Sequence, residues 1–188
     1  MWINEFLQPN LNGHTHQGKF IPSNPEKYIG DVGKIIYRSG WEFDFLKWCD
    51  TTPSIIKYGA EAMCVTYINP IDMRQHRYFV DMYMEMLLSD NTTVVKWLIE
   101  VKPREHTEYP KRPRKLTTES RKKYRKACEL VEVNIAKFRA AKSCCESNDM
   151  MFGVVCMNRK TRKFEFIEWV DDVSYVNPCR VGERSIFS

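Results

Sequence analysis

The sequence predicts an α/β fold: a mixed β-sheet flanked by helices, entered by an extended N-terminal arm. Three observations carry this reading. Val95, Trp97, Ile99 and Val101 alternate with Lys96, Leu98, Glu100 and Lys102, the period of two that a strand requires. Tyr124, Ala127, Cys128, Val131, Ile135 and Phe138 recur at steps of three and four, the apolar stripe of a long helix. The signals run helix, strands, helix, strands, an order that places helices between sheet segments, with no internal repeat and no low-complexity tract.

Taken in chain order, residues 1–36 are polar and punctuated by Pro9, Gly13, Pro22, Pro25, Gly30 and Gly33, and they show neither period. They read as the extended arm. Its aromatics, Trp2, Phe6, Phe20 and Tyr28, predict docking on its own body or on a neighbour. Ser39-Gly40-Trp41-Glu42 has the form of a capping box, so a helix is expected from Trp41 to Asp50, with Trp41 and Trp48 packing it onto the sheet. Thr52-Pro53 breaks it.

Ile55 to Tyr58 and Met63 to Ile68 read as short strands, rich in β-branched and aromatic residues. Arg77 to Leu88 and Thr93 to Lys102 form the strongest strand pair, joined by the polar turn Ser89-Asp90-Asn91-Thr92. Met82, Met84 and Met86 fall on one face as core residues. Pro103, Pro110 and Pro113 stiffen a connection into the long helix, from Thr117 or Thr118 to Cys145. Met151 to Met157 and Lys163 to Val170 follow as a further strand pair. The expected domain thus spans 37–170, with a tail over 171–188.

A length of 188 residues with 43% hydrophobic and 28% charged residues fits one globular domain. No apolar run reaches the roughly 20 residues of a membrane span, and the first residues lack the regions of a signal peptide. Neither membrane insertion nor secretion is expected. The seven cysteines are odd in number and lack paired C-x-x-C spacing, which predicts reduced thiols.

Charge is concentrated. Residues 102–126 carry 11 Lys or Arg against Glu105, Glu108 and Glu119, a net of +8 that leaves −3 for the rest of a chain whose total is +5. Such a patch fits a phosphate backbone or an acidic protein partner. Lys111, Arg112, Arg114, Lys115, Arg121 and Lys122 are the candidate DNA-binding residues.

No phosphate loop, G-x-S-x-G elbow or H-E-x-x-H helix is present. The chemistry lies in acids beside a lysine. Glu100-Val101-Lys102 sets a carboxylate and an ammonium on one strand face, while Asp81 interrupts the apolar run from Tyr78 to Met84. Asp81 and Glu100 converging from neighbouring strands would hold Mg²⁺ and leave water in its shell. Lys102 would orient or help deprotonate a bound water, or stabilise charge on phosphate, with Glu42 reaching in from the first helix. In the competing structural reading, Asp81 pairs with Lys102 or Arg77, and Glu42 only caps its helix. His76 and the His14-x-His16 pair are weaker candidates, for a phosphate contact and for metal.

Three words, Tyr37-Arg38-Ser39-Gly40-Trp41-Glu42, His76-Arg77-Tyr78-Phe79-Val80-Asp81 and Ile99-Glu100-Val101-Lys102-Pro103, resemble the PD-(D/E)xK core of TnsA-type endonucleases. Gly18-Lys19-Phe20-Ile21-Pro22, Asn24-Pro25-Glu26-Lys27-Tyr28 and Asn134-Ile135-Ala136-Lys137 extend the similarity to the small head completion proteins of contractile-tailed bacteriophages. The resemblance implies a restriction-endonuclease-like fold, with Glu42, Asp81, Glu100 and Lys102 at the motif positions and Val80 replacing the motif proline. It further implies an endonuclease that acts on or seals packaged DNA at the head before tail attachment. The expected partners are double-stranded DNA and portal or neck proteins, in a virion ring at the head and neck or in the host cytoplasm during assembly. The alternative is a non-catalytic neck or head component that uses the same fold to bind DNA or the portal.

Overall fold

The computed structural model describes residues 17–115, 117–157 and 164–168. The His14-x-His16 pair, Cys179 and the tail over 171–188 lie outside the described residues.

The chain begins with a short ribbon, β1 (Gly18–Lys19) paired antiparallel to β2 (Ile36–Tyr37), followed by helix α1 (Gly40–Thr51). The centre is a five-stranded sheet built from β3 (Ile55–Ala60), β6 (Met82–Leu87), β7 (Val94–Pro103), β8 (Met151–Met157) and β9 (Phe164–Glu168), adjacent in that order. Beside it stands a separate hairpin, β4 (Cys64–Ile68) and β5 (Gln75–Phe79). Helix α2 (Thr118–Glu146) is the crossover that makes β7 and β8 parallel, whereas every other pair in the sheet is antiparallel. The mixed sheet with helices is the restriction-endonuclease-like architecture the sequence pointed to.

Strand alternation divides the core. On one face Met82, Met84, Met86, Ile99 and Val101 pack with Phe45, Leu46, Trp48 and Cys49 of α1. On the other, Leu98, Phe152, Val154 and Cys156 pack with Val131, Ile135, Phe138 and Ala141 of α2 and with Tyr67 and Tyr78 of the hairpin. The methionine stripe is core, as its spacing predicts. Ser39 caps α1, its hydroxyl accepting from the Glu42 N–H at 3.2 Å.

Residues 18–36 pack closely on this body. Phe20 and Ile35 are buried in the α1-side core. The Asp50 carboxylate at the end of α1 accepts the backbone N–H groups of Ser23 and Asn24 at 2.8 and 3.0 Å and the Tyr58 hydroxyl at 3.1 Å. Lys27 donates to the carbonyls of Cys49, Asp50 and Thr52, groups that a helix C-terminus leaves without partners. Six cysteines are described, and none of them is joined to another by a disulfide. Among the described residues no helix is long and apolar enough to cross a membrane.

One expected element divides. The run from Arg77 to Leu88 is two strands, because the chain leaves the sheet at Val80 and Asp81. The Val80 N–H donates to the Met63 carbonyl, and the Asp81 carbonyl accepts from the Glu61 N–H. These bonds are made to the chain between β3 and β4, so β5 turns away to pair with β4.

Candidate active site

The strand break sets the geometry of the polar cluster. Met82 pairs with Ile99, so Asp81 lies one step beyond the last paired position of β6, opposite Glu100. Cross-strand neighbours share a face, and both carboxylates project toward the α2 side with Leu98. Asp81 Oδ2 accepts the Val101 N–H at 2.9 Å, a donor left over where β6 stops. Glu100 is 1% exposed. Its Oε2 accepts the Tyr78 hydroxyl at 2.5 Å and the Asp81 N–H at 3.3 Å. Lys102 lies between the acids, its Nζ 2.7 Å from Glu100 Oε1 and 3.4 Å from Asp81 Oδ2.

This is a crowded set of charges. Burial, reinforced by the neighbouring Glu100 charge, pushes the Asp81 carboxyl up to about 7. Burial opposes charge on Lys102 as well, but the two carboxylates outweigh it and hold the ammonium charged well above neutrality. Asp81 and Glu100 thus set two carboxylates side by side in a largely apolar wall, an arrangement that can hold a cation.

The structure therefore brings Asp81, Glu100 and Lys102 together. It does not add Glu42. That residue lies on α1, against the opposite face of the sheet, and its carboxylate accepts the Arg38 N–H at 2.8 Å and the Ser39 hydroxyl at 3.0 Å. The capping-box spacing that marked Glu42 describes its place in the structure. Lys111, Arg112, Arg114 and Lys115 are exposed before α2, and Arg121 and Lys122 are exposed on its first turns. His76 sits in the β4–β5 hairpin, where its Nε2 is 2.8 Å from Asp72 Oδ2.

Two residues escaped the sequence reading. Tyr78 is buried and orients Glu100 through its hydroxyl, yet it stands across a strand break from Asp81, where the period of two no longer relates positions. Lys137 on α2 holds its ammonium 5.4 Å from the Tyr78 ring centroid and 5.9 Å from that of Tyr67. The apolar stripe Val131, Ile135 and Phe138 fixes the face of α2, and Lys137 borders it.

The chain is similar in sequence to known proteins. The model of the TnsA-like endonuclease N-terminal family matches residues 52–156, a stretch that contains Asp81, Glu100 and Lys102. The head completion nuclease of Enterobacteria phage T4 is 34% identical over 141 residues, which cover 75% of this chain and 91% of that protein. No solved structure gives a significant match.

Proposed function

Since the chain belongs to the TnsA-like endonuclease family, we propose that it is a Mg²⁺-dependent DNA endonuclease that acts on packaged DNA during completion of a phage head. The observation that carries this reading is the pairing of Asp81 and Glu100 about one lysine, beside a chain segment of net charge +8.

The donor set fits a hard cation. Both ligands are carboxylates, Asp81 Oδ1 accepts no hydrogen bond among the described residues, and the raised Asp81 pKa records a negative charge short of compensation. No third His, Cys, Asp or Glu joins them among the described residues. An ion held by two carboxylates completes its shell with water and substrate oxygens, the habit of Mg²⁺. When bound, it supplies Lewis-acid polarisation of the scissile phosphate and a more acidic water.

The chain's own groups do the rest. Tyr78 and the Asp81 N–H fix Glu100, and the Val101 N–H fixes Asp81, so neither carboxylate spends binding energy on being ordered. Lys102, kept cationic by the acids, acts by stabilising charge that develops on phosphate rather than by taking a proton. The basic segment holds the DNA. Its placement immediately after Lys102 leads substrate toward the carboxylates.

Nicking of supercoiled plasmid with and without Mg²⁺ tests the proposal. Asp81→Asn and Glu100→Gln should each lower the cleavage rate by at least roughly 10²-fold while the protein remains folded and binds DNA. Equal cleavage by wild type and both variants would refute the site. Lack of cleavage by wild type on single- and double-stranded DNA, with normal particle assembly by the variants, would leave the non-catalytic neck component as the better account.

A further inference from the structure

Lys137 belongs to neither the acid cluster nor the basic segment that the sequence marks, and no helix-packing need accounts for its charge. It is half-buried on α2, over the faces of Tyr67 and Tyr78. Tyr78 is the residue whose hydroxyl meets Glu100, so the ammonium is stacked against the wall of the acid cluster. It makes no ion pair among the described residues, although Glu100, Asp81 and Lys102 are near enough to act on it electrostatically. Burial lowers its pKa. A lysine held in place by rings and given no carboxylate keeps its N–H donors for an anion from outside.

The helix supplies a direction. Eleven residues at 100° each bring Lys126 to within about 20° of Lys137 around α2, roughly 16 Å away along the axis. Lys123 lies about 40° to the other side of that line. Both are exposed, toward the basic N-terminal end. Lys123 is paired with Glu119, so among the described residues Lys126 and Lys137 are the unpaired cations along this side of the helix, between its basic N-terminal end and the acid cluster.

We infer that Lys137 is a substrate-binding residue of the candidate site, donating to a backbone phosphate of the DNA strand that α2 guides to Asp81 and Glu100. The inference deepens the endonuclease reading and rests on it for the identity of the strand. A phosphate there lies between Lys137 and Lys102, two cations approaching from different elements. The tyrosine rings exclude water from one side of the contact, which strengthens it.

The test is metal-free binding, so that it does not depend on cleavage. Fluorescence anisotropy with a short labelled duplex in EDTA, repeated over a series of NaCl concentrations, compares wild type with Lys137→Met, Lys137→Gln, Lys137→Arg and, as a control on another side of α2, Lys142→Met. Loss of one phosphate contact should lower the salt slope by about 0.9 and the affinity roughly tenfold in Lys137→Met and Lys137→Gln. Lys137→Arg should keep the slope, and Lys142→Met should match wild type. Thermal melting confirms that the variants are folded, and Lys137→Met retains the apolar stem that covers the rings. A wild-type slope in folded Lys137→Met or Lys137→Gln overturns the inference, as does failure of wild type to bind duplex at any salt. Wild type that binds DNA yet never cleaves it with Mg²⁺ defeats the endonuclease reading alone, and the slope still decides Lys137.

Discussion

Asp81 is more compatible with the folded chain as a neutral acid than as a carboxylate, because burial and Glu100 both act against its charge. Its pKa rises on folding from the ordinary aspartate value near 4 to about 7. The folded state therefore binds more protons than the unfolded state between those limits, and stability falls as pH rises through that window. Asp81→Asn removes the charge and keeps an oxygen that can accept the Val101 N–H. In EDTA the variant should exceed wild type by about 1–2 kcal/mol at pH 8, with the difference closing as pH falls toward about 4. Urea unfolding at both pH values measures it, and a variant less stable than wild type at pH 8 would show that the ion pair with Lys102 outweighs the repulsion. Added Mg²⁺ should stabilise wild type and leave Asp81→Asn nearly unmoved.

At the scale of elements, the clasp on α1 decides whether the N-terminal segment belongs to the fold. Asp50 gathers two backbone donors and a tyrosine hydroxyl from two places in the sequence, and Lys27 covers the helix end beside it. Asp50→Ala leaves buried donors without acceptors, so it should cost about 2–4 kcal/mol in urea unfolding. Amide exchange at Ser23 and Asn24 should accelerate with it. The opposite result, full stability with slow exchange, would mean that Phe20, Ile35 and the Lys27 bonds to backbone carbonyls hold the segment without the carboxylate. The same elements show how far a sequence can be read. α1 and α2 were legible because each buries one regular face, so period and burial coincide, and β7 because its β-branched and aromatic residues alternate with charged ones at its two ends, although its centre is buried on both faces. Asp81, Glu100 and Lys102 were legible because two lie on one regular strand and the third is an acid in an apolar run. The division of β5 from β6 was not legible, since bonds from Val80 and Asp81 to the distant Met63 and Glu61 leave no local period. Glu42 caps α1 on the face of the sheet away from the acid cluster, a placement not legible from its spacing, because a spacing cannot say which face of a sheet a helix will cover.

The whole molecule is electrically divided, with +8 in residues 102–126 and −3 in the remainder. The division has a direction in space as well as in sequence. It starts at Lys102 in the acid cluster, passes through the exposed Lys111, Arg112, Arg114 and Lys115, and continues along α2, where Lys123 and Arg125 already have partners in Glu119 and Glu129. The four residues before the helix make no side-chain ion pair among the described residues, so their charges are available to a partner. Duplex DNA and an acidic ring of neck proteins both fit a basic surface, but they differ in what neutralisation does. On DNA each lost phosphate contact lowers the salt slope by about 0.9 for every sequence alike, so a variant neutral at all four positions should lose up to about 3.6 of slope and still show the Mg²⁺-induced rise in unfolding stability. On a protein ring the same variant keeps its DNA slope and fails to assemble into particles. Affinity for two unrelated duplexes across a salt series, read beside particle yield, separates them. The DNA outcome is expected, because the segment is joined directly to the strand that carries Glu100 and Lys102, and charge placed there attracts phosphate to the two carboxylates that would otherwise repel it.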